Sequence, residues 1–266
     1  MEQLTKQAFL AALRQLGAYD ARVADPRAGF EHAIAGRHPL AVMPGCRSVV
    51  AFIVPKPAWA NNTVIAVPNT ADCDAGRADL PLLHRLTYLP GHQTLSVGDL
   101  LHDRIWYAAA HLLLQHGHRA GHGAVQEKLC AHESGIGVYG TSGLIIHPVL
   151  GNRFCLGVIL TDAEFPPDGR LEGFDPCGGC TACAEACPGN AYQPGLPYPG
   201  NWSRTACLEA RGRLEAEGRY CHECFRVCPA ATLAEDQLLV RREVNSIGQR
   251  DRAVPASSSD CPPGSR

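Results

Sequence analysis

At 266 residues, with 45% hydrophobic and 19% charged side chains, the chain has an ordinary globular balance and enough apolar surface for one large domain or two smaller ones. A formal charge of −2 provides no global basic field for a phosphate backbone, which leaves nucleic acid recognition to a local patch at most. No apolar run approaches the roughly 18 residues of a membrane span. The opening Met1-Glu2-Gln3-Leu4-Thr5-Lys6 lacks the charged-then-apolar order of a secretion signal, so the expected setting is the reducing cytoplasm, where the 13 cysteines are not expected to pair as disulfides.

Phe9, Leu10, Leu13 and Leu16 share one face of a predicted helix that Gly17 stops. Residues 49–54 are an unbroken apolar run between Pro44-Gly45 and Pro55, which predicts a strand buried on both faces. Residues 55–95, rich in Pro, Asn and Asp, read mostly as loop. A second helix is expected from Ser96, with Asp99 in a capping arrangement and Leu100, Leu101, Ile105, Ala108 and Leu112 on one side, ending before Gly117. A third helix covers 125–134 and runs into a glycine-punctuated segment, Gly135-Ile136-Gly137-Val138-Tyr139-Gly140-Thr141-Ser142-Gly143. Apolar strands at 144–146 and 154–160, joined through Gly151-Asn152, read as a hairpin. These elements suggest an α/β or α+β layer over residues 1–168, left through Pro166-Pro167-Asp168-Gly169. A cysteine-rich module follows over 169–240, then a flexible tail over 241–266 whose last residues are Ser/Pro/Gly-rich.

Cys177, Cys180, Cys183 and Cys187-Pro188 give C-x2-C-x2-C-x3-C-P, the ligand spacing of a bacterial ferredoxin. Three thiolates two residues apart on a tight loop each reach a different iron of one cubane, and small Gly178, Gly179 and Ala182 let the backbone approach the sulfides. The fourth cysteine, one turn further on, points at a second cluster. A partner run exists, Cys221-x2-Cys224-x3-Cys228-Pro229, but Gly218 stands where its first cysteine is expected. Cys207, on a predicted helix between the two runs, is the natural replacement. The assignment is therefore Cys177, Cys180, Cys183 and Cys228 to one [4Fe–4S] cluster, and Cys187, Cys207, Cys221 and Cys224 to the other. A pair of zinc knuckles is the alternative, but it asks for two-by-two spacing that these runs do not have. The metal reading is a ferredoxin-like module that moves electrons.

Three stretches resemble the epoxyqueuosine reductase family: Pro44-Gly45-Cys46-Arg47-Ser48-Val49-Val50, residues 127–162 with their glycine-rich segment, and the cysteine array including the isolated Cys207. That family comprises iron–sulfur, cobalamin-dependent enzymes of tRNA queuosine synthesis, related more distantly to reductive dehalogenases. The resemblance implies a nitroreductase-like domain in the first 168 residues that binds a cobalamin, with flavin as the second choice. It also implies a redox donor such as ferredoxin or flavodoxin, and a small-molecule or modified-nucleoside substrate. It tips Gly135, Gly137, Tyr139, Gly140 and Thr141 toward cofactor contact, although the same glycines also read as a helix stop and turn.

The chain departs from that family in three places. Gly121-His122 stands where the family's acidic proton donor lies, making His122 the candidate donor. Thr141 replaces a usual lysine. Members continue into a helical-repeat region for tRNA, and the 266 residues leave no room for one, so nucleic acid is not an expected partner. These departures favour a diverged relative with another substrate. The rival readings are a non-catalytic dicluster electron carrier and a cobalamin-handling protein. His132 and His147 are further polar candidates whose default is an ordinary hydrogen-bonded histidine. Cys46, Cys130 and Cys155 read as core thiols, and Cys73 and Cys261 as inert.

Overall fold

The computed structural model describes residues 3–55, 64–66, 94–193, 196, 199–216, 221 and 223–230. The expectations for Cys73, Cys261, most of 55–95 and the tail over 241–266 lie outside the described residues.

Helix α1 (Lys6–Gln15) starts at Thr5, whose hydroxyl accepts the Ala8 N–H and so satisfies one of the free amides of the first turn. It buries Phe9, Leu10 and Leu13. The chain turns at Gly17, whose φ of 115° is open only to glycine, into β1 (Asp20–Ala24). Helix α2 (Pro39–Val42) precedes β2 (Ser48–Pro55), in which every residue is buried. The short strands β3 (Val64–Ala66) and β4 (Thr94–Ser96) pair antiparallel, and α3 (Val97–Gln115) follows directly. After β5 (Ala120–Gly121) come α4 (Glu127–Glu133), β6 (Val138–Tyr139), β7 (Ile145–Ile146) and the long β8 (Phe154–Thr161). The cysteine-rich part holds α5 (Ala182–Glu185), α6 (Arg204–Ala216) and α7 (Glu223–Arg226). Among the described residues, no helix is long and apolar enough to cross a membrane.

The main sheet has the order β1-β2-β8-β5 and is antiparallel throughout. Its central pair runs from Ser48↔Thr161 to Pro55↔Phe154. One face packs Phe52, Val50 and Ile159 against Phe9 and Leu13 of α1 and Ile105 and Leu113 of α3. The other packs Ala51 and Ile53 against Ala131 of α4, Ile136 and Leu150. Helices on one face and the α4 layer on the other explain why the 49–54 run carries no alternation, even though its neighbours are antiparallel.

One expectation needs correction. Residues 144–146 and 154–160 do not form a hairpin with each other. Ile145–Ile146 pairs with Val138–Tyr139 in a separate two-stranded ribbon, while Phe154–Thr161 inserts between β2 and β5. The Gly151-Asn152 turn is real but closes on His147, whose backbone exchanges both hydrogen bonds with Gly151. The segment Asp20–Ala24 carries no strand signal, yet it forms the sheet's edge. Residues 166–168 then tie the end of the layer to that edge. Asp168 donates its N–H to Val23 O, accepts the Val23 N–H on its carboxylate and pairs with Lys6 at 2.7 Å.

Candidate functional site

The two cysteine runs fold alike. Each has a one-turn helix carrying one cysteine (Cys183 in α5, Cys224 in α7), and each closes on a Cys-Pro pair. Asp175 accepts the Cys177 N–H to start the first loop, and Gly179, at φ 74°, makes a bend that a side chain would strain. Cys207 comes from the first turn of α6, whose N–H donates to Ser203 O.

The thiols crowd one another in two groups. Burial, then the charges of Cys177 and Cys180, push Cys183 up to about 11. Burial also raises Cys228, with Cys177 and Cys180 as its charged neighbours. Burial raises Cys207, beside Cys187 and Cys221, and Cys224, beside Cys221, Cys207 and Cys187. Cys224 also reaches Cys183, so the groups abut. Four thiolates this close repel one another unless a positive body lies between them, which is what iron supplies. Among the described residues, no three His, Cys, Asp or Glu side chains converge tightly enough to chelate a single ion. A cubane makes a different demand, one thiolate for each of four irons around a bulky core.

The glycine-rich segment lies against these thiols. Thr141 donates its N–H to Cys177 Sγ at 3.4 Å, and a Cβ on Gly140 would stand 3.2 Å from the same sulfur. Asn201 Nδ2 holds the Thr141 carbonyl at 2.7 Å and the Tyr192 hydroxyl donates to Ser142 O at 3.2 Å. Gly135 and Gly137 serve packing instead. A Cβ on Gly135 would meet the Gly169 carbonyl at 2.3 Å, and one on Gly137 the Ile146 carbonyl at 2.4 Å. Tyr139 packs at the edge of the core, its ring 5.3 Å from that of His132.

Beside the Cys224 group, a cavity of about 190 Å³ opens between α4, β7, β8 and α7. Its walls include Glu127, Lys128, Asn152, Phe154, Leu156 and Phe225. Asn152 is 4% exposed. Its Nδ2 donates to Phe225 O, while its Oδ1 is buried with no partner. Lys128 Nζ holds the Gly143 carbonyl at 2.8 Å. Burial pushes the Glu127 carboxyl up, countered by His102 and His122 nearby.

His122 is exposed and meets Trp106 and His102 ring to edge; it is not among the residues that line the cavity. His147 has a structural task. Its Nδ1 accepts the Val149 and Leu150 N–H groups, and Nε2 faces Asp20 at 3.7 Å. Cys46 and Cys130 are buried thiols that desolvation pushes up, and Cys155 is partly buried. Tyr192, Asn201, Trp202 and Asn152 carry no sequence signal for this site.

No protein-family model matches the chain. Over 137 residues, 46% of this chain, it is 28% identical to epoxyqueuosine reductase of Staphylococcus aureus, covering 34% of that protein. Against the Bacillus cereus epoxyqueuosine reductase it is 32% identical over 115 residues, 40% of this chain and 30% of the relative. The match thus spans about a third of the length of these curated relatives. The solved epoxyqueuosine reductase of Bacillus subtilis aligns with a TM-score of 0.60 over 85% of this chain and 65% of its own, at 19% identity. An epoxyqueuosine reductase solved with an epoxyqueuosine-modified tRNA stem loop gives 0.57 over 85% of this chain and 64% of its own, at 20% identity. A reductive dehalogenase whose structure suggests a mechanism for B12-dependent dehalogenation gives 0.59 over 93% of this chain and 36% of its own, at 19% identity. The chain resembles epoxyqueuosine reductases in sequence, and it shares a mixed α/β fold with them and with reductive dehalogenases.

Proposed function

We propose that this chain is an iron–sulfur reductase in which two [4Fe–4S] clusters pass electrons to an organic cofactor, a cobalamin in preference to a flavin, docked over the cavity of Asn152 and Glu127. The first 168 residues act as a nitroreductase-like layer and the cysteine-rich part as a ferredoxin-like module. What carries the reading is the sorting of eight thiols into two abutting sets of four, beside a cavity that starts at Phe225, next to Cys224. A cavity of about 190 Å³ takes one edge of a corrin, not the whole ring. Its lining suits that edge: the free acceptor on Asn152 matches an amide N–H of the corrin rim, and Leu144, Phe154 and Leu156 match its apolar flank. Bound there, low-valent cobalt supplies a strong nucleophile that no side chain can. A one-electron donor such as ferredoxin or flavodoxin feeds the clusters, and a modified nucleoside is the substrate class favoured by the likeness.

Protein purified without oxygen is expected to carry about eight irons and eight sulfides per chain and to retain a corrinoid. Zinc in their place, or far fewer irons, sinks the reading. Full iron with no affinity for corrinoid or flavin leaves only an electron carrier.

Glu127, rather than His122, is the proton donor of the cavity. Its carboxyl is raised by burial, so it keeps its proton to higher pH than an ordinary glutamate and supplies acid only below that raised value. Reductive turnover should fall as pH rises through this window. Glu127→Gln should cost about a hundredfold or more in rate and flatten the profile. Infrared spectra check the premise: the protonated carboxyl band of Glu127 should persist above the ordinary glutamate range and vanish in the variant. A band titrating in the ordinary range rules Glu127 out.

A further inference from the structure

The connector between the two cysteine runs is built as a bracket. Ser203 N–H donates to Ala191 O at 2.8 Å and Gln193 N–H to Asn201 O at 2.7 Å, with Tyr192 and Trp202 facing each other across an antiparallel bridge. The bracket gathers three donors beside a single thiol group, one of them bonded to a sulfur. Ala191 N–H reaches Cys187 Sγ at 3.4 Å, the Trp202 indole faces Cys207, and the Tyr192 hydroxyl faces Cys224. The Ala191 N–H has that one acceptor, and the buried Trp202 Nε1 has none within hydrogen-bond distance. The phenol, which has only one proton to give, bonds the Ser142 carbonyl at 3.2 Å here, with the Cys224 thiol beside it as a second acceptor within reach.

We propose that Tyr192 is a redox-responsive donor: its hydroxyl bonds the Ser142 carbonyl while the Cys224 cluster is oxidised and turns to Cys224 Sγ when that cluster is reduced, raising its potential. The inference rests on the two-cluster reading and adds a role for a residue outside the ligand set. One electron from a one-electron reductant takes [4Fe–4S]2+ to [4Fe–4S]1+. No covalent bond changes and no proton enters or leaves; the phenol proton only rotates between acceptors. The driving force is the added negative charge, much of it on the sulfurs. A hydrogen bond to a charged acceptor is about twice as strong as one to a neutral carbonyl, so reduction moves the preference from oxygen to sulfur. A donor that binds the reduced state more tightly than the oxidised state makes reduction easier, which is how hydrogen bonds to sulfur tune such clusters. Asn201, fully buried and fixed on the Thr141 carbonyl, keeps the Ser142 carbonyl in place as the resting partner.

The test is a redox titration of the full chain, reconstituted without oxygen, with dithionite as reductant and electron paramagnetic resonance as readout. Tyr192→Phe should make reduction of one cluster at least tenfold less favourable, 59 mV lower for one electron, and leave the other unmoved. Tyr107→Phe, an exposed tyrosine on α3, should move neither. Redox-difference infrared of wild-type protein with ring-labelled tyrosine gives a second reading that requires no substitution, a shift of one tyrosine C–O band on reduction. Eight irons with unchanged midpoints in Tyr192→Phe, equal shifts of both clusters, or no tyrosine band overturn the role of Tyr192 and leave the clusters standing. Fewer than eight irons in the wild type overturn the reading beneath it.

Discussion

Replacing Cys207 by alanine should cut iron from about eight to about four per chain and halve the visible absorbance of the oxidised protein. The remaining reducible signal should be that of one cluster. Cys207 lies in the first turn of α6, and alanine is a better helix former than cysteine, so the helix itself is not weakened. On the proposed assignment, what is lost is the fourth thiol beside Cys187, Cys221 and Cys224, which would leave their cluster with three protein ligands and a solvent-facing iron. The other set keeps all of its thiols. Cys130→Ala is the matched control. That thiol, on α4, is fully buried, its ionisation is strongly opposed by desolvation, and its loss should leave iron unchanged. Unchanged iron in Cys207→Ala would falsify the assignment of the isolated cysteine. Loss of all iron would mean that the two sets are not independent. Because metal binding of this kind is also folding energy, thermal unfolding of the cysteine-rich part should come earlier in Cys207→Ala and not in Cys130→Ala.

The parts of this molecule that sequence reveals are those in which the chemistry is local. The spacing of Cys177, Cys180 and Cys183 is short enough that one loop brings their sulfurs together. The unbroken 49–54 run announces a strand with cover on both sides. Helix α3 follows from its apolar side and from Gly117, whose φ of 80° ends it. The hidden parts depend on contacts distant in sequence. Asp20–Ala24 becomes a strand because β2 offers an open edge and because Asp20, held near 2 against the pull of burial by His147 and Arg22, anchors its start. Residues 145–146 and 154–161 are both apolar and follow one another, so adjacency predicts a hairpin. The longer strand gains far more by pairing with all eight residues of β2. The glycine-rich segment illustrates the same limit. Its composition fits a cofactor cradle, but only the fold brings Gly140 and Thr141 to Cys177 while turning Gly135 toward the linker. Nothing in the spacing of Tyr192 and Trp202 points to a thiol.

That linker contact yields the second large effect. Glu133 is buried at the end of α4, its side chain 6% exposed, and its carboxylate accepts from Arg170 Nε at 2.7 Å. Gly29 passes so close that a Cβ there would stand 1.9 Å from Glu133 Oε2, and Gly135, at φ 79°, lies under the Gly169 carbonyl. One ion pair therefore locks the exit of the sheet layer onto the helix that opens the cavity. Arg170→Ala leaves a buried carboxylate with no counter-charge, and such an orphan costs more than the pair contributes. The arginine is half exposed, so water repays part of the loss, and the expected destabilisation is about 2 kcal/mol. Adding Glu133→Gln removes the stranded charge, so the double variant should recover roughly half of that loss. Urea unfolding of the two single variants and the double decides it. If the double variant is less stable than Arg170→Ala by the full cost of Glu133→Gln alone, the two side chains act independently, and the linker is held by its backbone bonds to Val23 rather than by this pair.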